Sequence, residues 1–590
     1  MNEVKVTIDD KTVMVSSDTT IMEAAYKLGI SIPRLCFLKE INETSSCRIC
    51  VVEVKGVRSL QNSCTVKVKD GMVVKTNSKR IKKTIINNLE LLAANHHFEC
   101  WRCTRERNCE FLSLLRKYNI SNFMGEDKAY KRKDQIINVT DSMVINSNKC
   151  ILCGRCIAAC EKLSGTAILN YNNRGFNTYV GPASNHDIND SGCIYCGKCI
   201  QSCPVGAIAE KDDTDLVLDL LENNDYYKVV QVAPAVRVAL GEEFGYEIGT
   251  NVERKIYHAL KLLGFDDITD TNFAADVTVL EEGTELIKRI KKADKNMEVA
   301  LPLFTSCSPG WIRYIETYYP EFLPNLSTCK SPQQMQGALI KHYYSKKIGV
   351  NKDKIKVVSI MPCIAKKHEA KLPHMAVDGI RDVDYVLTTR ELARIIKRCN
   401  IDFVRLKDYF PNSPLAEYTG AGIIFGATGG VTEAALRTVK AIIEKKESKV
   451  VDIDELRGAG KDIKEANIKI GDMAAKVAVV HGAINFPKML KRIKENPGQY
   501  LFVEFMACAG GCVNGGGQPI VTAYTQDTVD VCKLRADALY KIDEFKEVRK
   551  SHKNPEVAAL YAEFLKEPGS KMAHHLLHTN YHKIDIFTKE

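Results

Sequence analysis

The chain of 590 residues carries 22 cysteines, and their spacing limits what it can fold into more than any other property. Disulfide frameworks belong to short secreted chains, whereas clustered CxxC spacing in a long chain without a secretory leader argues for metal. The opening MNEVKVTIDD contains acidic residues and lacks an apolar signal core, so the cytoplasm is the expected compartment. Fifteen cysteines fall at or before Cys203 in three blocks, and the other seven are scattered through the long remainder.

Around the first block, VKVTID, TVMVSS and MVVKT alternate apolar with polar residues as half-buried strands do, and TIMEAAYKLGI between them has helical spacing. Cys36, Cys47, Cys50 and Cys64 give Cx10CxxCx13C, with the middle pair in the loop SSCRICVVEV. Four thiolates so placed can hold a [2Fe-2S] unit or a zinc ion. The arrangement resembles the plant-type ferredoxin fold with wider gaps, which favours [2Fe-2S] in a β-grasp ferredoxin-like domain over 1–78.

The helical stretch KRIKKTIINNLELLAANH leads into HHFECWRCTRERNCEF, where His96, Cys100, Cys103 and Cys109 give HxxxCxxCxxxxxC. One histidine with three cysteines is, taken alone, a common zinc set. Its position between a ferredoxin-like domain and two further cluster motifs resembles the amino-terminal arm of complex I-type subunits and long iron-only hydrogenases. That resemblance implies a His-ligated [4Fe-4S] cluster in a small domain over 79–138, with His96 selected over His97 by the family spacing.

Cys150, Cys153, Cys156 and Cys160 form CxxCxxCxxxC, and Cys193, Cys196, Cys199 and Cys203 repeat it 43 residues later, followed by Pro204. This internal duplication has the spacing of two-cluster bacterial ferredoxins, in which the fourth cysteine of each run ligates the other cube. One [4Fe-4S] is therefore expected on Cys150, Cys153, Cys156 and Cys203, and the other on Cys193, Cys196, Cys199 and Cys160, within 139–212. A row of clusters moves single electrons from a surface docking site toward something buried, so the rest of the chain should hold the terminus.

From 213 to 590 strand-like runs (YYKVVQVAPAV, KIKVVSIMPC, AKVAVVHGAI, QYLFVEFMAC) alternate with helix-like ones such as TELIKRIKKA, SPQQMQGALIKHYYSKK and TEAALRTVKAII. The expected fold class is thus multidomain α+β and α/β, ending in a large α/β domain. Three loops after strands stand out: Thr305 to Trp311 (TSCSPGW), Met361 to Lys367 (MPCIAKK) and Glu504 to Cys512 (EFMACAGGC). Loops at the carboxyl ends of parallel strands are where such folds place ligands, and cysteines from three distant loops could complete one cubane.

These three loops look like the signature segments of iron-only ([FeFe]) hydrogenases, and the four-cluster arm matches the long clostridial-type form, so the resemblance covers essentially the whole chain. It implies one [2Fe-2S], three accessory [4Fe-4S] clusters and one H-cluster, a [4Fe-4S] cube joined through a cysteine sulfur to a di-iron unit bearing CO, cyanide and an amine-dithiolate. Cys363 and Cys508 carry over as cube ligands and Cys512 as the bridging ligand. Lys366 pairs with a cyanide, Met361 and Met506 pack around the di-iron unit, and Gln333, Pro234 and Ala235 are cofactor neighbours. Ala235 departs from a serine common in the family. A second departure is in the first loop, where the family has two adjacent cysteines. Because a cube prefers thiolate, Cys307 is the expected fourth ligand and Ser308 a hydroxyl relaying protons; the strict alignment reverses the two roles. The family's proton path falls on Glu282, Ser327, Glu285 and Arg289, the two glutamates at i, i+3 on one helical face.

The activity implied is reversible reduction of protons to H2, with ferredoxin or another electron carrier, NAD-linked subunits and maturation proteins as expected partners. Rival readings are a complex I-type electron-transfer subunit, a hydrogen sensor and an iron–sulfur assembly factor. Composition agrees with a folded soluble chain: 45% of residues are hydrophobic and 26% charged, which excludes disorder. No apolar run is long enough for a bilayer, so no membrane association is expected. A net charge of +10 is too weak for nucleic acid and suits an acidic protein partner. Cys329, Cys399 and Cys532 are expected as buried small hydrophobes, and HHLLH, with His574, His575 and His578, as a packed terminal helix, His582 beyond it.

Overall fold

The computed structural model describes residues 3–121, 137–444, 453–458, 460, 462–471 and 473–588. The stretch 122–136 of the expected second domain lies outside the described residues.

The amino-terminal sheet has five strands in the order Lys11–Ser16, Glu3–Ile8, Met72–Lys75, Val51–Val54, Gln61–Asn62. Glu3–Ile8 pairs antiparallel with its hairpin partner and parallel with Met72–Lys75. Val4, Val6 and Ile8 alternate inward, as the period of two requires. The crossing helix Ile21–Lys27 opens with a capping box between Thr20 and Glu23, which satisfies two otherwise orphaned backbone donors. The next helix, Lys79–Ala93, buries Ile81, Ile85, Leu89 and Ala93, a single i, i+4 stripe. That stripe joins a core shared with Cys109, Cys153 and Cys203, so the cluster-bearing segments pack on one another rather than hang as beads.

The duplicated cysteine runs fold alike. Gly154 and Gly197 take left-handed φ of 79° and 73° immediately before the helices Arg155–Lys162 and Lys198–Ser202, a conformation glycine adopts without strain. The turn folds each CxxC back so that its thiols face one pocket.

Beyond residue 213 the expected α/β alternation is present as two sheets. One is wholly parallel, in the order Asp267–Asp270, Tyr227–Val232, Ile355–Met361, Tyr385–Thr388. The other runs Leu303–Phe304, Phe502–Met506, Met473–His481, Ile463–Ile470, with only the last strand antiparallel. Phe502–Met506 is buried at every position, as covering on both faces demands. The helix read from TELIKRIKKA is the end of a 23-residue helix, Thr271–Ala293. Its first half is buried all round and so shows no amphipathic stripe.

Three expectations need correction. Cys399, at the end of the helix Thr389–Arg398, is exposed, because it follows the last packed turn. Cys532 is only half-buried, with its thiol 3.8 Å from the Ala509 carbonyl. The terminal helix spans Lys571–Leu577, so His578 lies just past it. Cys329 is buried as expected. Among the described residues, no helix is long and apolar enough to cross a membrane.

Candidate metal centre

Loops leaving the carboxyl ends of four strands, two from each sheet, enclose a cavity of about 850 Å³. Ala233 and Pro234 follow Tyr227–Val232, and Pro362 and Cys363 follow Ile355–Met361. Cys307 and Ser308 follow Leu303–Phe304, and Ala507, Cys508 and Cys512 follow Phe502–Met506; all line the cavity. Met361, Met506, Gln333 and Lys366 complete its wall. Ala235 stands behind the wall, fully buried, its carbonyl accepting from Gln518 Nε2 at 2.9 Å.

The thiols here are costly to ionise without a metal. Burial, then the neighbouring Cys508, push Cys363 up to about 11, and burial with Cys363 and Cys508 takes Cys512 up to about 12. A bound cation reverses that balance, since thiolate is the ligating form. The donor set fits an iron–sulfur group, and the wall carries a buried orphan, Gln333 Oε1, without a hydrogen-bond partner.

Lys366 and Gln333 are fixed by a residue the sequence did not single out. Glu369 pairs with Lys366 Nζ at 3.0 Å and accepts from Gln333 Nε2 at 3.0 Å and Ser331 Oγ at 3.0 Å. Lys366 Nζ also donates to the Cys307 carbonyl at 3.1 Å. Glu504, the first residue of the third segment and still on the strand Phe502–Met506, was given no role of its own. It accepts from Gly429 N, Thr432 N and Thr432 Oγ1, and burial pushes it up to about 7. Its signal in the sequence is a lone carboxylate inside an apolar strand, FVEFM.

Cys307 and Ser308 both line the cavity. After burial, the charges raising the Cys307 thiol are those of Glu282, Glu504 and Cys512. The Ser308 hydroxyl instead accepts from Ala507 N at 3.5 Å, beside Cys508. Behind Cys307, Glu282 is buried and pushed up to about 8, by desolvation first and by Glu285 second. Ser306 donates to it from N and Oγ at 3.4 and 3.3 Å. Ser327 Oγ donates to Glu285 at 3.1 Å, and Glu285 pairs with Arg289 at 2.6 Å. Glu282 and Glu285 thus occupy a packed face rather than the solvated one their spacing alone suggests.

Three smaller pockets lie in the arm. Cys150, Cys153, Cys156 and Cys203 line one of about 390 Å³, and Cys160, Cys193, Cys196 and Cys199 line another of about 380 Å³. These are the two interleaved sets. His96, Cys100, Cys103 and Cys109 line a third, of about 350 Å³. His96 Nδ1 lies 2.9 Å from the Lys149 carbonyl, and burial pulls the ring down to about 4, so it is a neutral imidazole with Nε2 free to ligate. His97 is instead engaged with Glu99 at 3.1 Å. In the first domain all four thiols are free, with the Cys50 and Cys64 sulfurs 3.2 Å apart. The cavity between the two sheets is more than twice the size of either four-cysteine pocket.

Comparison with known proteins agrees. The profile of the "Iron only hydrogenase large subunit, C-terminal domain" matches residues 226–516, and that of the "Iron hydrogenase small subunit" matches 529–584. A "2Fe-2S iron-sulfur cluster binding domain" matches 1–79 and a "4Fe-4S dicluster domain" 149–207. "Iron hydrogenase 1" of Clostridium pasteurianum is 44% identical over 96% of this chain and 97% of its own. "NADP-reducing hydrogenase subunit HndD" of Solidesulfovibrio fructosivorans is 43% identical over 99% of each. This chain belongs to the iron-only hydrogenase family. The solved apo [FeFe]-hydrogenase HydA1 from Chlamydomonas reinhardtii superposes on this hydrogenase with a TM-score of 0.56 and 36% identity, covering 63% of this chain and 99% of its own. The hydrogenase uses iron–sulfur clusters of the [2Fe-2S] and [4Fe-4S] kinds and an H-cluster, and it exchanges electrons with a carrier.

The arm docks on the hydrogenase domain next to the cavity. Cys196 lines both its own pocket and the large cavity. Lys198 Nζ donates to the Asn514 carbonyl at 2.7 Å, and Gln201 Nε2 to that of Gly515 at 2.9 Å. A Cβ built on Gly516 would sit 2.5 Å from the Cys196 carbonyl and 2.8 Å from the Gly197 Cα. Two backbones meet there with no side chain between them.

Proposed function

We propose that this chain interconverts protons and H2, with electrons entering through the arm and the H-cluster seated in the 850 Å³ cavity. The observation that carries this is the convergence of cysteines from three distant loops on one chamber, with Cys196 of the arm in its wall. Cys363, Cys508 and Cys512 would hold the cofactor, with Cys512 the residue that the family resemblance assigns as the link between its cube and di-iron parts. When bound, that group supplies the redox and proton-accepting chemistry of hydrogen.

The protein's own part is positioning and proton supply. Lys366, held by Glu369, presents a cation to the chamber, and Met361, Met506 and Pro234 exclude water from it. Protons pass between solvent and chamber by Arg289, Glu285, Ser327, Glu282 and Cys307. In the first loop we take the reverse of the thiol-preference argument: Cys307, within reach of the Glu282 charge, carries the proton, while Ser308, hydrogen-bonded to Ala507 N beside Cys508, would offer its oxygen to the fourth cube corner.

The accessory clusters are a [2Fe-2S] on Cys36, Cys47, Cys50 and Cys64, a cube on His96, Cys100, Cys103 and Cys109, and two interleaved cubes in 139–212. With the H-cluster they total about 20 irons per chain. A ferredoxin or an NAD(P)-linked partner subunit in the cytoplasm exchanges the electrons; the name of the S. fructosivorans relative supports the second. Maturation proteins deliver the di-iron unit. A complex I-type subunit would lack the three loops, and a sensor or assembly factor would not turn over hydrogen. The infrared spectrum of matured protein, taken with a hydrogen-evolution assay, tests the proposal: bands of iron-bound CO and cyanide with turnover are expected, and their joint absence overturns it.

A further inference from the structure

At the solvent end of the route, three side chains of different chemistry meet without a role in hydrogen turnover as a set. The Glu285 carboxylate, the Cys329 thiol and the His578 imidazole each offer a ligand atom, and these atoms lie within 4.8 Å of one another. They come from distant parts of the chain. Glu285 is on the helix Thr271–Ala293, and Cys329 pairs with His578 across an isolated antiparallel bridge. That bridge holds Cys329 Sγ 4.0 Å from His578 Nδ1. Cys329 is fully buried and the His578 side chain 6% exposed, while the Glu285 side chain, at 15%, opens the cluster to water.

We propose that Glu285, Cys329 and His578 bind a borderline-soft divalent cation, Zn²⁺ by preference, and that the ion closes the outer end of the proton route. The closing effect rests on the route assigned above; the binding does not. Sulfur, imidazole nitrogen and carboxylate oxygen are each zinc ligands, and three protein ligands with a fourth position left to water is the arrangement of open zinc sites. The thiolate discriminates against Mg²⁺ and Ca²⁺, which prefer oxygen.

Binding exchanges existing contacts for metal bonds. The Cys329 thiol releases its proton to solvent, so affinity falls as pH falls. The Thr328 hydroxyl, now 2.8 Å from His578 Nδ1 and 3.3 Å from Glu285 Oε2, turns aside. Glu285 keeps Arg289 on its other oxygen, Oε1. A carboxylate held in this way no longer takes up and hands on a proton.

The test is a Zn²⁺ titration of the matured holoenzyme, read by zinc K-edge X-ray absorption, which is separate from the iron edge, and by hydrogen evolution. Wild type is expected to bind one zinc with a single sulfur in its shell and to lose activity reversibly, with chelator restoring it. Cys329→Ser removes the sulfur. Both it and His578→Gln raise the zinc concentration for half-inhibition by about tenfold or more, since even outer partners of a metal site are worth that much. Each variant is compared with its own zinc-free rate, and unchanged iron content and carbonyl bands establish that it is folded and loaded. An unchanged sulfur shell in Cys329→Ser, or no stoichiometric zinc in wild type, overturns the site. Zinc bound as described without any loss of rate leaves the site standing and removes Glu285 from the proton route.

Discussion

The arm and the hydrogenase domain gather cysteines in opposite ways. In the arm, each cube pocket is lined from a duplicated motif between Cys150 and Cys203, and local turns at Gly154 and Gly197 do most of the gathering. In the large domain, Cys307, Cys363, Cys508 and Cys512 come together only because two sheets direct their strand ends to one place. A locally encoded site forms whenever its segment folds, whereas a site built on topology needs the whole domain. The first suits a conduit repeated along a chain, and the second suits a chamber whose walls each do something different.

The sharpest break in that comparison is Cys512→Ser. Hydrogen turnover should vanish while paramagnetic resonance of the reduced accessory clusters persists; loss of all clusters would mean that the arm depends on the chamber. Next in size, Cys307→Ala should keep the carbonyl and cyanide infrared bands and slow turnover by roughly 10² to 10⁴, the usual worth of a positioned proton donor. Ser308→Ala should instead perturb the cube's resonance. The opposite pair of outcomes would return Cys307 to the cube. Glu369→Gln should lower activity by about 10 to 100-fold, the usual effect of losing a group that orients a metal-site residue. Its infrared bands should shift as Lys366 loses its ionic partner, and an unchanged spectrum would make Glu369 a packing residue. Smallest, Gly516→Ala should destabilise the junction by about 1–3 kcal/mol, the cost of overpacking. Calorimetry is expected to show a lowered transition, and an unaltered one would mean that the arm and domain are not held by this contact.

How much of this was legible follows the same division. The residues that line each cysteine pocket of the duplicated arm motif could be grouped from the sequence because spacing within a motif is nearly spacing in space, whereas His96 was chosen by family spacing. In the large domain, periodicity gave the sheets and the three loops, but their meeting came only through family resemblance. Glu369 and Gln518 went unread because their partners are distant or depend on a helix turn and nothing in residue type marks them, whereas Glu504 was marked only by being a lone carboxylate inside an apolar strand. The strands Asp267–Asp270 and Tyr385–Thr388 are too short to show a period. At Cys307 and Ser308, intrinsic ligand preference points one way and the proposed proton route the other, and Cys307 is influenced by both Glu282 and Cys512. Local chemistry cannot report which way a loop faces.

The bare contact between Gly197 and Gly516 also has a kinetic meaning. Electron tunnelling decays exponentially with the gap to be crossed, so on the proposed route a methyl group that widened this seam would slow the arrival of electrons at the chamber. Two residues without side chains therefore bear on the rate of that proposed step, although neither is a proposed ligand or proton carrier.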